Sequence, residues 1–323
     1  APNPSVGFLI DDIDFSGIGT VATLFDVGSV EVLRGPQGSR YGANALGGLI
    51  YMRGREPSAE RDGLLRLTMG DDDTRALGVA FGGSLNKSET LLFRLSAQAH
   101  ESNGFRNNSY LGRDDTNGRD ETGARLAFAY AGKVEGRLSL IYSRIDNGYD
   151  AFAIDNSYTM LSDNPGRDAQ ESLGASLRLD WDGPGQGDLT SITALAVSDI
   201  AFSFDADWGN EESWAPVLYD YISRSQRERD TLSQEFRYTT ESWLLGLYVL
   251  RLEEDFDTLN VGEYYDPGYD FADSLDYPFG SEFESTKDAR PRTNRIFRAL
   301  DSVPRPPTKF CTTSSFHART RAT

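Results

Sequence analysis

Apolar and polar residues alternate along most of the chain from residue 62 onward. In residues 93–100 (FRLSAQAH), phenylalanine, leucine and alanine occupy one set of positions, and arginine, serine, glutamine and histidine occupy the other. Successive side chains of a strand point to opposite faces, so this period of two gives each strand one apolar face. The pattern predicts nine strands, at roughly 62–70, 74–86, 90–101, 121–131, 136–147, 170–182, 187–205, 228–240 and 242–255.

The connections between these strands alternate between short and long. Residues 86–89, 132–135, 183–186 and a break at Glu241 are short, whereas 102–120, 148–169, 206–227 and the segment from Phe256 are long. Outer-membrane barrels have short periplasmic turns and long external loops, and a soluble sheet has no reason to sort its loops in this way. We therefore predict an all-β protein of antiparallel transmembrane barrel strands. A large soluble antiparallel β protein is the alternative.

One short connection, Asp71–Asp73, falls where a long loop is expected. Its sequence DDDT predicts a hairpin turn, and a Ca²⁺ site is the alternative.

Composition narrows the function classes. The 323 residues carry 32 basic and 50 acidic side chains, a net charge of −18, which argues against a nucleic-acid partner. Cys311 is the single cysteine and the two histidines, His100 and His317, are far apart, so we expect no disulfide, no metal site and no cofactor. His100 has no evident triad partner, so an outer-membrane enzyme is not favoured. The chain has no apolar run long enough for a transmembrane helix.

The charge balance changes near residue 287. Residues 287–323 contain 9 basic and 2 acidic side chains, whereas the preceding residues contain 23 basic and 48 acidic ones. The strand alternation also stops there. We interpret 287–323 as a basic tail that is either disordered or the product of out-of-frame translation.

A glycine-rich stretch precedes the first predicted barrel strand. Val30–Met52 reads VEVLRGPQGSRYGANALGGLIYM, with VGFLIDDI before it and the exit RGREP after it. The order and spacing of these blocks resemble the C-terminal half of the plug domain of TonB-dependent outer-membrane receptors. The matching motif residues are Glu31, Arg34, Gly35, Pro36, Gln37, Gly38, Tyr41, Gly42, Asn44, Gly47 and Gly48.

The resemblance implies a division of the chain and a function. Residues 1–57 would be the C-terminal half of the plug, 62–286 the N-terminal part of the barrel, and 287–323 the tail. The family builds plugged barrels of about 22 strands, so the chain would be a fragment truncated at both ends. Members take up large substrates, most often ferric siderophores, across the bacterial outer membrane. The implied partners are outer-membrane lipid and a TonB-type energy-transducing complex, whose contact box is absent here.

Two sets of residues are candidates for function. In a polar lumen, Arg34 is expected to form a plug–barrel latch with Glu235, which faces the lumen because it alternates with Phe236. The alternative is a local pair between Arg34 and Glu31. Ligand contacts are expected on the plug and in an aromatic, acidic loop, and the alternative is a solvated surface; these residues are Gly17, Ile18, Gly19, Trp208, Trp214, Tyr219 and Tyr221.

Overall fold

The computed structural model describes residues 4–21, 23–36, 46–265, 281–289 and 292–299. They form a small sheet, a large sheet and a pair of short strands between two loops. The helical segments of this part are short: α1 (Glu211–Trp214) and 3₁₀ turns at Gly19–Val21 and Pro184–Gln186. None of the helices in the described part is long and apolar enough to cross a membrane.

The small sheet comes from the start of the chain and is called the plug sheet. It contains β1 (Val6–Ile10), β2 (Ile13–Asp14), β3 (Val27–Arg34) and β4 (Gly48–Gly54), in the order β2-β1-β4-β3. The glycine-rich stretch supplies β3 and β4, which pair antiparallel. A side chain at Gly48 would place its Cβ 2.8 Å from the Leu33 carbonyl oxygen, so this close pairing requires glycine.

The large sheet is called the wall. Its eleven strands are β5 (Asp62–Met69), β6 (Arg75–Ser84), β7 (Leu91–Ser102), β9 (Arg119–Tyr130), β10 (Val134–Tyr149), β12 (Gly166–Asp182), β13 (Asp188–Asp205), β14 (Leu218–Thr239), β15 (Leu244–Tyr265), β16 (Ser281–Ala289) and β17 (Arg292–Ala299). Neighbours are antiparallel and follow chain order, and β16 and β17 pair with successive parts of β15. The nine predicted strands are confirmed. They correspond to the wall strands from β5 to β15, a range that also includes two short loop strands, β8 (Asn107–Asn108) and β11 (Thr159–Met160), outside the wall.

Two predicted loop boundaries were wrong. β14 begins at Leu218 and β15 extends to Tyr265, so each is about ten residues longer than the alternation indicated. In residues 218–227 (LYDYISRSQR) both faces are largely polar or aromatic, so the period of two is not visible as a hydrophobic pattern. The predicted boundary at residue 287 also falls inside a strand, since β16 and β17 carry the wall to Ala299. Residues 300–323 lie outside the described residues.

The connections alternate in length as predicted. The turns after β6, β9, β12 and β14 are short, and the loops after β7, β10 and β13 are long. The turn 70–74 is a hairpin, in which Gly70 N donates to the Thr74 carbonyl and Thr74 N donates to the Asp71 carbonyl. The first two long loops are joined by β8 (Asn107–Asn108) and β11 (Thr159–Met160), which pair in parallel.

The two faces of the wall have different partners. The inner face packs on the plug, where Ile13 and Phe15 are fully buried against Ala194 and Ala196. The outer face exposes a band of large apolar side chains, among them Leu173, Leu195, Val197, Leu232, Phe236 and Leu247. Such a band is what a lipid-facing barrel surface presents.

Substitution of Gly174 tests how closely the plug packs on the wall. A Cβ there would lie 2.9 Å from the ring of Phe15 and 3.2 Å from Ile13. We expect Gly174→Val to destabilise the protein by about 1–3 kcal/mol through overpacking, measured as a lower thermal unfolding midpoint in detergent. Gly246→Val is the matched control, because its nearest neighbour is 3.9 Å away. Equal midpoints for the two variants would contradict this packing.

Candidate functional site

The plug is attached to the wall by a buried ion pair. Arg94 of β7 donates Nε to Asp26 Oδ2 at 2.7 Å and Nη2 to Asp26 Oδ1 at 2.5 Å, and its Nη1 reaches Asp62 at 2.8 Å. The side chains of Arg94 and Asp26 are each 1% exposed. This bidentate, charge-assisted geometry satisfies both charges away from water.

A second attachment lies at the turn between β1 and β2. The Asp11 carboxylate forms an ion pair with Arg125 of β9 and accepts from Ser139 Oγ at 3.0 Å, while Ser176 Oγ donates to the Asp11 carbonyl at 2.6 Å. Asp12 beside it accepts from the Tyr51 hydroxyl at 2.7 Å. Three strands of the wall therefore contact one turn of the plug.

These attachments share an unusual backbone conformation. Asp11, Asp12 and Asp26 have positive φ angles of 48°, 69° and 55°. Aspartate is among the few residues other than glycine that adopt this region readily. The aspartates in these turns therefore have two roles, because they allow the left-handed backbone and they supply the carboxylates that accept hydrogen bonds.

Two further wall arginines lie near the plug tip. Arg227 and Arg229 of β14 both bind Glu254 of β15, at 2.9 Å and 3.0 Å. The Arg227 guanidinium is 3.8 Å from the position that a Cβ on Gly17 would occupy. Arg229 is fully buried, and its Nε and Nη2 have no hydrogen-bond partner within the described part of the chain.

The structure does not decide the predicted Arg34–Glu235 latch. Glu235 faces the plug as expected and accepts from Arg237 Nη2 at 2.8 Å on its own strand. Arg34 ends β3 with an exposed side chain, and Glu31 is half-buried on the same strand. The latch stays a prediction. Among the plug–wall pairs described above, the carboxylate comes from the plug and the arginine from the wall, which is the reverse of the predicted polarity.

The remaining motif residues are partly placed. Gly35 has a φ of 83°, and its N–H donates to the Gly47 carbonyl at 3.2 Å, which closes the hairpin beyond Pro36. The Gly47 N–H in turn donates to the Ser5 carbonyl oxygen at 2.6 Å. Gln37, Gly38, Tyr41, Gly42 and Asn44 lie outside the described residues.

Three long loops pack together above the plug and are called the loop cap. Asn108, 1% exposed, donates Nδ2 to Asp150 at 2.9 Å and to the Ser162 carbonyl at 2.7 Å. Asn210 donates to the Leu161 carbonyl at 2.7 Å and its side chain caps α1. Buried amides bonded in this way fix the loops relative to one another.

A series of aromatic rings runs from the loop cap onto the inner face of the wall. Trp208 stacks on Phe152 at 5.4 Å, Phe152 meets Tyr149 at 6.2 Å, and Tyr149 meets Phe202 at 4.7 Å. Phe202 then contacts Phe204 at 5.8 Å. Of these five rings the sequence pointed only to Trp208. The others were missed because they sit in strands or are far apart in the chain.

The predicted ligand contacts are distributed unevenly. Trp208 is 42% exposed, whereas Trp214 packs edge-on against Tyr219 and donates Nε1 to the Asp207 carbonyl. Tyr219 and Tyr221 lie on β14 rather than in a loop. On the plug, Gly17 is exposed and Gly19 is half-buried, but Ile18 is buried in the plug core. Ile18 is therefore a packing residue in this structure.

The loop cap contains a group of carboxylates that repel one another. Asp205 ends β13 eight residues beyond Val197, the last large apolar residue of its outer face, so it lies outside the membrane. Burial, with the nearby Asp207 carboxylate, raises the pKa of Asp205 to about 7. Burial and repulsion from Asp220 and Asp207 likewise raise the pKa of Asp163. In the described part of the chain, no three acidic, histidine or cysteine side chains are placed to hold a metal ion.

Comparison with known proteins finds a family model that matches the plug segment. Residues 2–49 match the family model described as the TonB-dependent Receptor Plug Domain. The plug segment belongs to the TonB-dependent receptor family. The wall shares its fold with solved receptors, including the ferric yersiniabactin uptake receptor FyuA from Yersinia pestis (TM-score 0.57, 17% identity, 90% of this chain and 52% of that one). Another is FpvA from P. aeruginosa bound to pyoverdines (TM-score 0.55, 14% identity, 87% and 41%).

Curated relatives match shorter parts of this chain. A pesticin receptor of Yersinia enterocolitica is 40% identical over 63 residues, which is 20% of this chain and 9% of the relative. The vitamin B12 transporter BtuB of Vibrio vulnificus is 26% identical over 199 residues, 57% of this chain and 32% of the relative. The chain thus spans a third or less of the length of these relatives. The predicted family, fold class and outer-membrane location are confirmed.

The buried Arg94–Asp26 pair leads to a prediction about the stability of the protein. Asp26→Ala leaves Arg94 buried without its main partner, and we expect a loss of about 3–5 kcal/mol in unfolding free energy. Arg113→Ala is the control, because the Arg113–Asp115 pair is about half exposed and should contribute less than about 1 kcal/mol. Denaturant unfolding in detergent measures both. Similar losses for the two variants would show that the buried pair does not hold the plug.

The raised pKa of Asp205 predicts that the stability of the loop cap depends on pH. A folded-state pKa above the ordinary carboxyl value means that the fold favours the protonated form, so this stabilisation is present at low pH and is lost as pH rises through about 7. Amide exchange in residues 206–217, corrected for intrinsic rate, should be slower at pH 5.5 than at pH 8. Asp205→Asn should remove the difference. Faster exchange at pH 5.5 would contradict the assignment.

Proposed function

We propose that the protein acts as a TonB-dependent outer-membrane receptor that takes up a large solute, and that the solute is a ferric siderophore. The observation that carries the proposal is a plug sheet held against the inner face of a barrel wall by buried Asp–Arg pairs, beneath a loop cap with exposed aromatic rings. The solved structures that share the fold include a ferric yersiniabactin receptor and a ferric preacinetobactin receptor, and the ligands of these two receptors support the choice of substrate.

The loop cap is suited to capture a solute from outside. Trp208 and Phe152 are both exposed by more than two fifths and stack on each other, so they offer ring faces at the entrance. Tyr149 and Phe202 continue these faces down the wall toward the plug. The buried Asn108 and Asn210 hold the loops in place, which lowers the entropy that binding must overcome.

The plug–wall pairs explain why uptake needs an energy source. A solute can pass only if the plug moves, and movement separates Asp26 from Arg94 and Asp11 from Arg125. Separation leaves each buried charge without its partner, and an uncompensated buried charge costs about 3–5 kcal/mol, which is many times the thermal energy. We infer that a TonB-type complex supplies this work. Uptake requires no covalent step, so no catalytic residue is assigned.

Uptake of radioactive iron as a ferric siderophore tests this function. A strain without other siderophore receptors, producing this protein, should accumulate iron only while the inner membrane is energised. Trp208→Ala should lower uptake about two- to tenfold at limiting ligand, because an aromatic contact contributes roughly 0.5–1.5 kcal/mol. Trp243→Ala, at a short turn on the other side of the membrane, should leave uptake unchanged. Energy-independent accumulation would overturn the proposal.

A further inference from the structure

The inner face of the wall above the plug carries two carboxylates. Asp168 precedes Gln170 on the same face of β12, and the Gln170 amide donates to the Ile18 carbonyl at the plug tip. Glu121 lies on the same face of β9 as Arg125, which binds the plug at Asp11. Both carboxylates therefore face the space that a descending solute would enter.

Neither carboxylate is neutralised by the protein. Within the described part of the chain, Glu121 and Asp168 form no ion pair, and Glu121 accepts only the neutral amide of Asn147 at 3.0 Å. Burial, together with the nearby charge of Glu121, raises the pKa of Asp168. Arg227 lies in the same row of the wall but is bound at two points by Glu254. Arg119, at the exposed outer end of β9, pairs with neither.

Aromatic rings flank the same carboxylates. Phe202 is the cross-strand partner of Asp168, and its ring meets Tyr149 edge-on at 4.7 Å. Carboxylates and ring faces both attract a positive charge, and their attraction is stronger where water is partly excluded. Carboxylates without an ion-pair partner beside ring faces therefore suit an organic cation.

The approach to this place has the same sign of charge. The loop cap carries Asp163, Asp207, Glu211 and Glu212, and Asp220 lies at the start of β14 beside it. An acidic entrance attracts cations and repels anions over a range of about 8–10 Å at ordinary salt. A strongly anionic solute would meet repulsion at the loop cap and again at the wall.

We propose that the solute presents a cationic group, a protonated amine or guanidinium, to Glu121 and Asp168 of the wall, and that anionic chelates are rejected. This inference rests on the proposed receptor function and adds the charge class of its ligand. The aromatic rings bind the body of the solute, and the two carboxylates select its charge.

Three matched ferric chelates test the charge preference. They are a neutral trihydroxamate, the same chelator with an added primary amine, and the same chelator with an added carboxylate. Binding to the protein in outer-membrane fractions is followed by quenching of tryptophan fluorescence. The amine form should bind about tenfold more tightly than the carboxylate form. Asp168→Asn and Glu121→Gln should each reduce this ratio by several fold without weakening binding of the neutral chelate.

The control variant is Asp155→Asn, which removes one exposed acid from the loop cap and should leave the ratio unchanged. Equal binding of the amine and carboxylate forms, or tighter binding of the carboxylate form, would overturn the charge preference and leave the receptor function standing. If none of the three chelates binds the unaltered protein, the proposed ferric-chelate receptor function fails and the preference fails with it.

Discussion

The contact on which the rest of the structure depends is the pair between Arg94 of the wall and Asp26 of the plug. Both charges are removed from water, which is costly unless each finds a partner of good geometry. Each is satisfied only when the plug sheet sits at one height and one rotation inside the wall. The Asp11–Arg125 pair fixes a second point, so the two together define the position of the plug.

The same alternation of side chains provides two different surfaces from one set of strands. On β12, the inner positions Ser172 and Ser176 are small and polar and face the plug, while the outer positions Leu173 and Leu177 are exposed apolar residues. Small inner residues leave room for the plug, as at Gly174 beneath Phe15. A strand with period two can therefore face lipid and a filled lumen together.

Sequence patterns predicted most of the wall because strand alternation and loop length are local features. The same patterns did not predict strand ends without an apolar face or contacts between residues that are far apart in the sequence. The outer parts of β14 and β15 have no continuous apolar face, so alternation did not mark them as strands. The motif directed attention to Arg34, whereas the described plug–wall pairs join residues more than sixty positions apart, such as Asp26 and Arg94. The ring series from Trp208 to Phe204 likewise depends on register between strands.

The position of the plug inside the wall is the central claim, and a cross-link tests it most directly. Thr23 Oγ1 of the plug donates to Gln98 Oε1 of β7 at 2.8 Å. With Cys311 replaced by serine, cysteines at positions 23 and 98 should be joined in isolated outer membranes by a short bifunctional thiol reagent that spans the length of the replaced Gln98 side chain. A second pair at positions 193 and 234, register partners within the wall, should be joined as well. If only the wall pair cross-links, the plug does not occupy this position and the account is contradicted.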